Sequence, residues 1–261
     1  MGLLPNCKDP SLAALKSVGY NVVRLPRVDL LPTQLLVAQG DRLHRLGELR
    51  TVFVANPEVT DVPPISADQP GPNISGTKSA DVDIGTGLNI LGGLISALGG
   101  STLGLSLSYS RARSIQFEFT DTIENHTETA ALDVFLASSK IHEYAVSARQ
   151  MLDSDRVYVV TATLKSRSIN VVAKDEHKNA LAIDVPTIQN AIGGNLKVDN
   201  SGASSTTLTY QGAIPLVFGF QAIRLDFDQG RYRAFKLVEA GTVGSEANES
   251  LDIDAMLLGD L

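Results

Sequence analysis

Nucleophiles, imidazoles and carboxylates do chemistry where they converge, and this 261-residue sequence keeps its candidates apart. The four histidines, His44, His126, His142 and His177, fall in different segments. His142-Glu143 lacks the second histidine, four residues after the first, that a helical zinc site requires. Ser101 stands in GGSTLG, one residue too loose for the elbow that exposes a nucleophilic serine, and reads as a strand-entry serine. Gly85-Thr86-Gly87 lacks the third glycine and the strand context of a dinucleotide loop, and no glycine-rich phosphate loop ending in Lys-Ser/Thr occurs. No local pattern assembles an active site, so we expect no catalytic activity, no metal and no bound cofactor. A hydrolase site scattered along the chain stays open as an alternative.

Cys7 is the one side chain with a distinct reactivity. As the only cysteine it excludes an internal disulfide and a Cys-cluster metal site. Flanked by GLLPN and Lys8, its thiol can accept a reversible acyl chain; the alternative is an idle thiol. N-myristoylation fits worse, because Asn6 stands where that motif takes Ser or Thr. One acyl chain binds a membrane only marginally, so it would assist insertion and not anchor the protein alone.

The net charge of −7 and the lack of a Lys/Arg cluster argue against a nucleic-acid partner. The opening MGLLPNCKDP has neither the basic head nor the long apolar stretch of a secretory signal, which leads us to expect a cytoplasmic protein. The triplets at Asn73, Asn125 and Asn248 then carry no glycans.

The elements that would have to position function are more informative. Ile84 to Ser110 carries no charged side chain, yet only 12 of its 27 residues are apolar, 7 being Gly and 8 Ser, Thr or Asn. That makes a poor constitutive membrane helix, since each hydroxyl or amide must shed water. Ile90, Leu91, Leu94, Ile95 and Leu98 make a helical stripe ended by Gly99-Gly100. From Leu103 the period becomes two, with Leu103, Leu105, Leu107 and Tyr109 on one side, and upstream Ala80, Val82, Ile84, Thr86 and Leu88 alternate likewise. The stretch reads as strand, short helix, strand.

Elsewhere SLAALKSV, HTETAALDVFLASSK (face Ala131, Val134, Phe135, Ser138) and TIQNAIGG read as helices. YNVVRLP, LRTVFV and SIQFEF read as strands, and Asn56 to Asn73, rich in proline, as a loop. Residues 155–186 read as strands broken by polar turns, residues 195–210 as a Gly/Ser-rich extended segment, and Asp228-Gln229-Gly230 as the turn of a hairpin. The fold class expected is α+β with a mostly antiparallel sheet, as one large domain.

Four segments have the one-sided apolar pattern of a transmembrane β-strand: Thr77 to Leu88, Thr102 to Phe117, Val157 to Val172 and Asn195 to Tyr210. In the third, Val160, Ala162 and Leu164 alternate with Thr161, Thr163 and Lys165. In the fourth, Leu196, Val198 and Leu208 are the apolar positions. Half-buried strands of a soluble sheet would show the same pattern.

The tail combines a small, polar linker, EAGTVGSEANE, with SLDIDAMLLGDL, whose Leu251, Ile253, Met256, Leu257, Leu258 and Leu261 can dock on the body. Docking would depend on the tether, which holds the peptide at about millimolar effective concentration. A cut in the exposed stretch between Leu237 and Asn248, around Ala240, Gly241, Gly244 and Ala247, should release it. The chain has 22 basic and 29 acidic residues, and five of the acids but no base lie in 241–261; loss of the tail takes the charge from −7 to −2 and weakens repulsion from an anionic membrane. A packed C-terminal helix is the plainer alternative.

GYNVVRLPR at Gly19 to Arg27, the near-terminal Cys7, and PLVFGFQAIRL at Pro215 to Leu225 followed by a short tail resemble the bacterial gasdermins. The resemblance implies a twisted, mostly antiparallel central sheet with peripheral helices, residues 1–240 being a pore-forming core and 241–261 a linker with an autoinhibitory peptide. It implies a monomer when inhibited, and a partner protease, caspase-like or other, that cuts before the peptide. The freed body would insert two β-hairpins, 77–88 with 102–117 and 157–172 with 195–210, and oligomerise among lipids of the inner membrane, killing the cell in antiphage defence. Cys7 matches the family's palmitoylated cysteine. The rival from another class is a cytosolic lipid- or ligand-binding module that its tail closes.

Overall fold

Val157–Lys174 is dense in β-branched residues and has neither proline nor glycine, so it runs as one strand of 18 residues where the sequence suggested several. Its partner, Leu208–Asp228, runs for 21 residues and accommodates Pro215 where its register breaks. The structure, a computed structural model, describes residues 19–27, 29–39, 42–71, 81–97, 101–102, 104–184, 197–199, 204–237 and 257–258.

In chain order, strands β1 (Asn21–Arg27), β2 (Gln34–Gln39) and β3 (Arg42–Glu48) lead to the one-turn helix α1 (Leu49–Val52). Strands β4 (Phe53–Val54), β5 (Ser66–Pro70) and β6 (Val82–Asp83) precede helices α2 (Ile84–Ala97) and α3 (Leu105–Ser108). Strands β7 (Ser114–Thr120) and β8 (Ile123–His126), helix α4 (Thr129–Ser138), strand β9 (Lys140–Ile141) and helix α5 (Val146–Leu152) follow. The rest is β10 (Val157–Lys174), β11 (Ile183–Asp184), β12 (Lys197–Asp199), β13 (Ser204–Ser205), β14 (Leu208–Asp228), β15 (Arg231–Leu237) and β16 (Leu257–Leu258).

The main sheet has the order β1-β14-β10-β2-β3-β16. One flank of β10 is taken by β14 along most of its length, and the other in turn by β2, β8 and β7. Among the described strand pairs all are antiparallel except β16 on β3. Three register shifts along β10–β14 add local twist and bending to the long ladder. The β14–β15 hairpin turns at Gln229 and Gly230, whose φ of +50° and +74° suit a two-residue turn matched to the strands' twist.

Val157 to Leu164 are buried without a break because both faces of β10 are covered there. Val157 and Val159 join Leu132, Phe135 and Leu152 of α4 and α5. Tyr158 and Val160 point the other way, into a cluster with Leu36, Leu43 and Phe220. A third cluster occupies the far end of β10, around Ile169 and Val171. Between the ends lies a belt of buried hydroxyls, Thr161, Thr163, Ser166 and Ser168. Ser166 Oγ donates to the carbonyls of Thr120 and Ser168 and accepts from the Ser168 amide.

Several sequence expectations change. LRTVFV begins as helix α1 and only ends as β4, because Leu49 and Val52, three apart, both reach the core. Helix α4 buries Leu132, Phe135 and Leu136, so its face is rotated from the one expected and Val134 is half exposed. The proline-rich loop contains β5, an exposed edge strand on β8. The β2–β3 hairpin, β8 and α5 had no sequence expectation. SLAALKSV and TIQNAIGG lie outside the described residues.

Candidate functional site

The uncharged stretch folds differently from its strand, helix, strand reading. The upstream strand is only β6, and α2 already begins at Ile84. Its inward stripe is Ile84, Leu88, Leu91 and Ile95, at spacings of four, three and four, which is one helical face. Side chains at 90 and 94, and all of Leu98 to Gly100, lie outside the described residues. Gly87 permits close packing on β7: a Cβ there would lie 3.0 Å from Ile115 Cβ.

The expected strand over 103–109 is a helical turn. Gly104 enters α3 at φ +82°, a left-handed conformation natural to glycine. Leu105 and Tyr109 then share a side and are buried, whereas Leu107, on the opposite side, is 75% exposed. Period two in the sequence is overridden here by an i, i+4 contact.

These residues pack on the second candidate region. Leu91, Leu105, Tyr109 and Ile115 from the first share one cluster with Ile169, Val171, Leu208 and Tyr210 from the second. The Tyr109 and Tyr210 hydroxyls lie 2.9 Å apart in the interior. Burial pushes both phenols well above their ordinary range, so both stay neutral. Lys174 Nζ on β10 donates to Asp81, at the entrance to β6, at 2.6 Å. Lys165 Nζ does the same to Asp68 of β5 at 2.8 Å, and this bond holds the Asp68 carboxyl below its usual range. The Tyr109–Tyr210 pair joins residues 101 apart, and nothing in the sequence beyond two tyrosines on apolar stripes marks it.

The remaining sequence candidates fall as follows. Val82 pairs with Ile115, and Val198 with Tyr210. Val160, Ala162 and Leu164 are buried in β10, and Leu208 is buried opposite Val171. Leu257 and Leu258 form β16, in parallel register with Arg42 and Leu43 of β3, and β16 also lies against β1. Cys7, Leu103, Leu196, Ala240, Gly241, Gly244, Ala247, Leu251, Ile253 and Met256 lie outside the described residues. Among the described residues no helix is long and apolar enough to cross a membrane, and no three His, Cys, Asp or Glu side chains group as a metal site.

Residues 23–231 match the Bacterial Gasdermin Family. A gasdermin of Lysobacter enzymogenes is 55% identical over 99% of both chains. One from a Desulfuromonadales bacterium is 40% identical over 92% of this chain and 90% of its own. The fold is similar to a bacterial gasdermin structure from Bradyrhizobium tropiciagri, with TM-score 0.58 at 18% identity over 87% of this chain and 91% of that one. The match across most of the chain, with the long antiparallel ladder and its flanking helices, leads to one conclusion: this chain belongs to the bacterial gasdermin family.

Proposed function

We propose that the protein is an autoinhibited pore former and not an enzyme, held as a cytoplasmic monomer by its tail. Residues 1–240 are the pore-forming core and 241–261 the linker and inhibitory peptide. A protease, caspase-like or other, cuts between Leu237 and Asn248, and the core inserts strands from the two packed regions into the inner membrane, where copies assemble and the cell dies in defence against phage. The observation that supports this most is β16. A two-residue ladder on β3, beside β1, is a contact short enough to be lost once the tether is cut. Acylation of Cys7, by palmitate, would add membrane affinity without anchoring the protein alone.

The test is dye release from anionic liposomes by protein with a site-specific protease sequence inserted near Gly244. Release only after cutting is expected. No release after cutting, with the tail shown to have dissociated, refutes the reading and favours a soluble lipid-binding module.

A further inference from the structure

The two arms of the first region already touch in the resting protein, and their register reaches further than their contact. Val82 faces Ile115 and Asp83 faces Ser114. Propagated inward without a slip, the same register sets Ile84 opposite Arg113, Thr86 opposite Arg111, Leu88 opposite Tyr109, Ile90 opposite Leu107, Gly92 opposite Leu105 and Leu94 opposite Leu103. The arms close with Ala97 opposite Gly100 around Leu98-Gly99, a two-residue loop with glycine where a tight hairpin turn needs it.

Side chains directly opposite one another share a face, so this register sorts the sequence. Leu88, Ile90 and Leu94 fall on one face with Leu103, Leu105, Leu107 and Tyr109. The other face sets Gly87 against Ser110, Asn89 against Ser108 and Gly93 against Gly104, and its larger residues, Leu91 and Ile95, oppose Ser106 and Thr102. From Thr86 to Ser96 each arm supplies about the 9–11 residues a membrane strand needs. Arg111 and Arg113, both exposed in the resting protein, come at the base of the apolar band, where lipid phosphates lie. A slip of one residue would set Asn89 and Gly93 among the leucines.

The same segment thus carries two codes. As helix α2 it buries the stripe 84, 88, 91, 95; as a strand it would present 84, 88, 90, 94. We infer that β6–β7 is the seed of the inserted hairpin, which zips in the resting register with Leu107 towards acyl chains and Ser106 towards water. This rests on the pore-forming reading above, adds the register and the faces, and moves the membrane-crossing part of the first arm from 77–88 to 86–96.

Leu107 and Ser106 are neighbours on α3 and both exposed, so a lysine at either leaves the resting packing alone. On phosphatidylethanolamine–phosphatidylglycerol vesicles, the cut Leu107→Lys protein should lose roughly 30-fold or more in dye release, as lipid-facing lysines do near the bilayer midplane. Ser106→Lys should stay within about threefold of the unsubstituted protein, its charge reaching water. Equal losses, or a larger loss for Ser106→Lys, overturn the facial assignment. Register is read separately in cut, vesicle-bound protein carrying Asn89→Cys with Ser108→Cys, or Asn89→Cys with Leu107→Cys, by oxidation and mass spectrometry of the linked peptides. The first pair should link and the second should not; the reverse overturns the register. Absence of release from the unsubstituted cut protein would instead defeat the pore-forming reading, and the inference with it.

Discussion

Removing one hydroxyl from the Tyr109–Tyr210 pair tests whether the buried contact between the two regions sets the resistance of the resting state. The oxygens lie 2.9 Å apart, with the two residues 1% and 0% exposed. Tyr109→Phe or Tyr210→Phe keeps the ring and deletes only the oxygen, which strands the partner hydroxyl in the interior. A stranded buried hydroxyl costs about 1–3 kcal/mol, whereas replacing both hydroxyls removes the stranded group and should leave the double variant within about 1 kcal/mol of the original. Denaturant titration of the four proteins in the uncut state gives the cycle, and its non-additivity is the quantity sought. If the pair breaks before the first region leaves the second, dye release after cutting should accelerate in the single variants by roughly 5- to 150-fold, the kinetic equivalent of the same energy. Strictly additive losses, or single variants unchanged in both stability and release rate, would refute the idea that this contact holds the regions together.

Leu258→Asp should make the uncut protein leak dye, because a carboxylate is set in register with the buried Leu43 where β16 meets β3; full inhibition in this variant would remove the tail strand from the mechanism. Gly87→Val should destabilise the uncut protein and speed release after cutting, since a side chain there meets Ile115 at 3.0 Å; an unchanged denaturation midpoint would contradict the close packing. In alkali the sign follows from the phenols. Tyr109 and Tyr210 titrate higher folded than the ordinary value of 10.0, so their contribution is complete below that value and is lost as pH rises past it. The share of tyrosinate absorbance that Tyr109 and Tyr210 contribute, read as the difference from the Tyr109→Phe/Tyr210→Phe double variant, should therefore appear together with the loss of the near-ultraviolet circular dichroism, and ionisation of all six tyrosines before any structural change would contradict the burial.

Strands rich in β-branched and aromatic residues were legible in the sequence: β1, β7 and the β14–β15 turn sit where alternation and turn residues put them, while β10 runs straight through the polar turns expected within it. What failed was the choice of period in short apolar runs. Leu103 to Tyr109 alternates as a strand does, but a left-handed Gly104 and the contact of Leu105 and Tyr109 with one cluster make it a turn of helix. The phase of α4 failed because Leu132 and Leu136 compete with Val134 for the same core, and only the position of the sheet decides between them. The β2–β3 hairpin carries charges at its turn and along β3, which hid its buried Leu35, Leu36 and Leu43. The mutual packing of the candidate regions was out of reach of sequence, since it depends on contacts about a hundred residues apart.

The belt of buried hydroxyls across β10 divides the molecule into unequal partners. Among the described residues, the cluster around Tyr109 and the other two clusters share no strand except β10 and β14, and α2 adds one further link by lying against β1. Cooperativity of unfolding follows shared packing, so amide hydrogen exchange should show two tiers. Amides of Val157 to Leu164 would exchange only with global opening, while those of Ile169 to Ala173 would follow an earlier, partial one. Such a division would let one half of the sheet come apart and rebuild, as the proposed insertion requires, while the other keeps the identity of the fold.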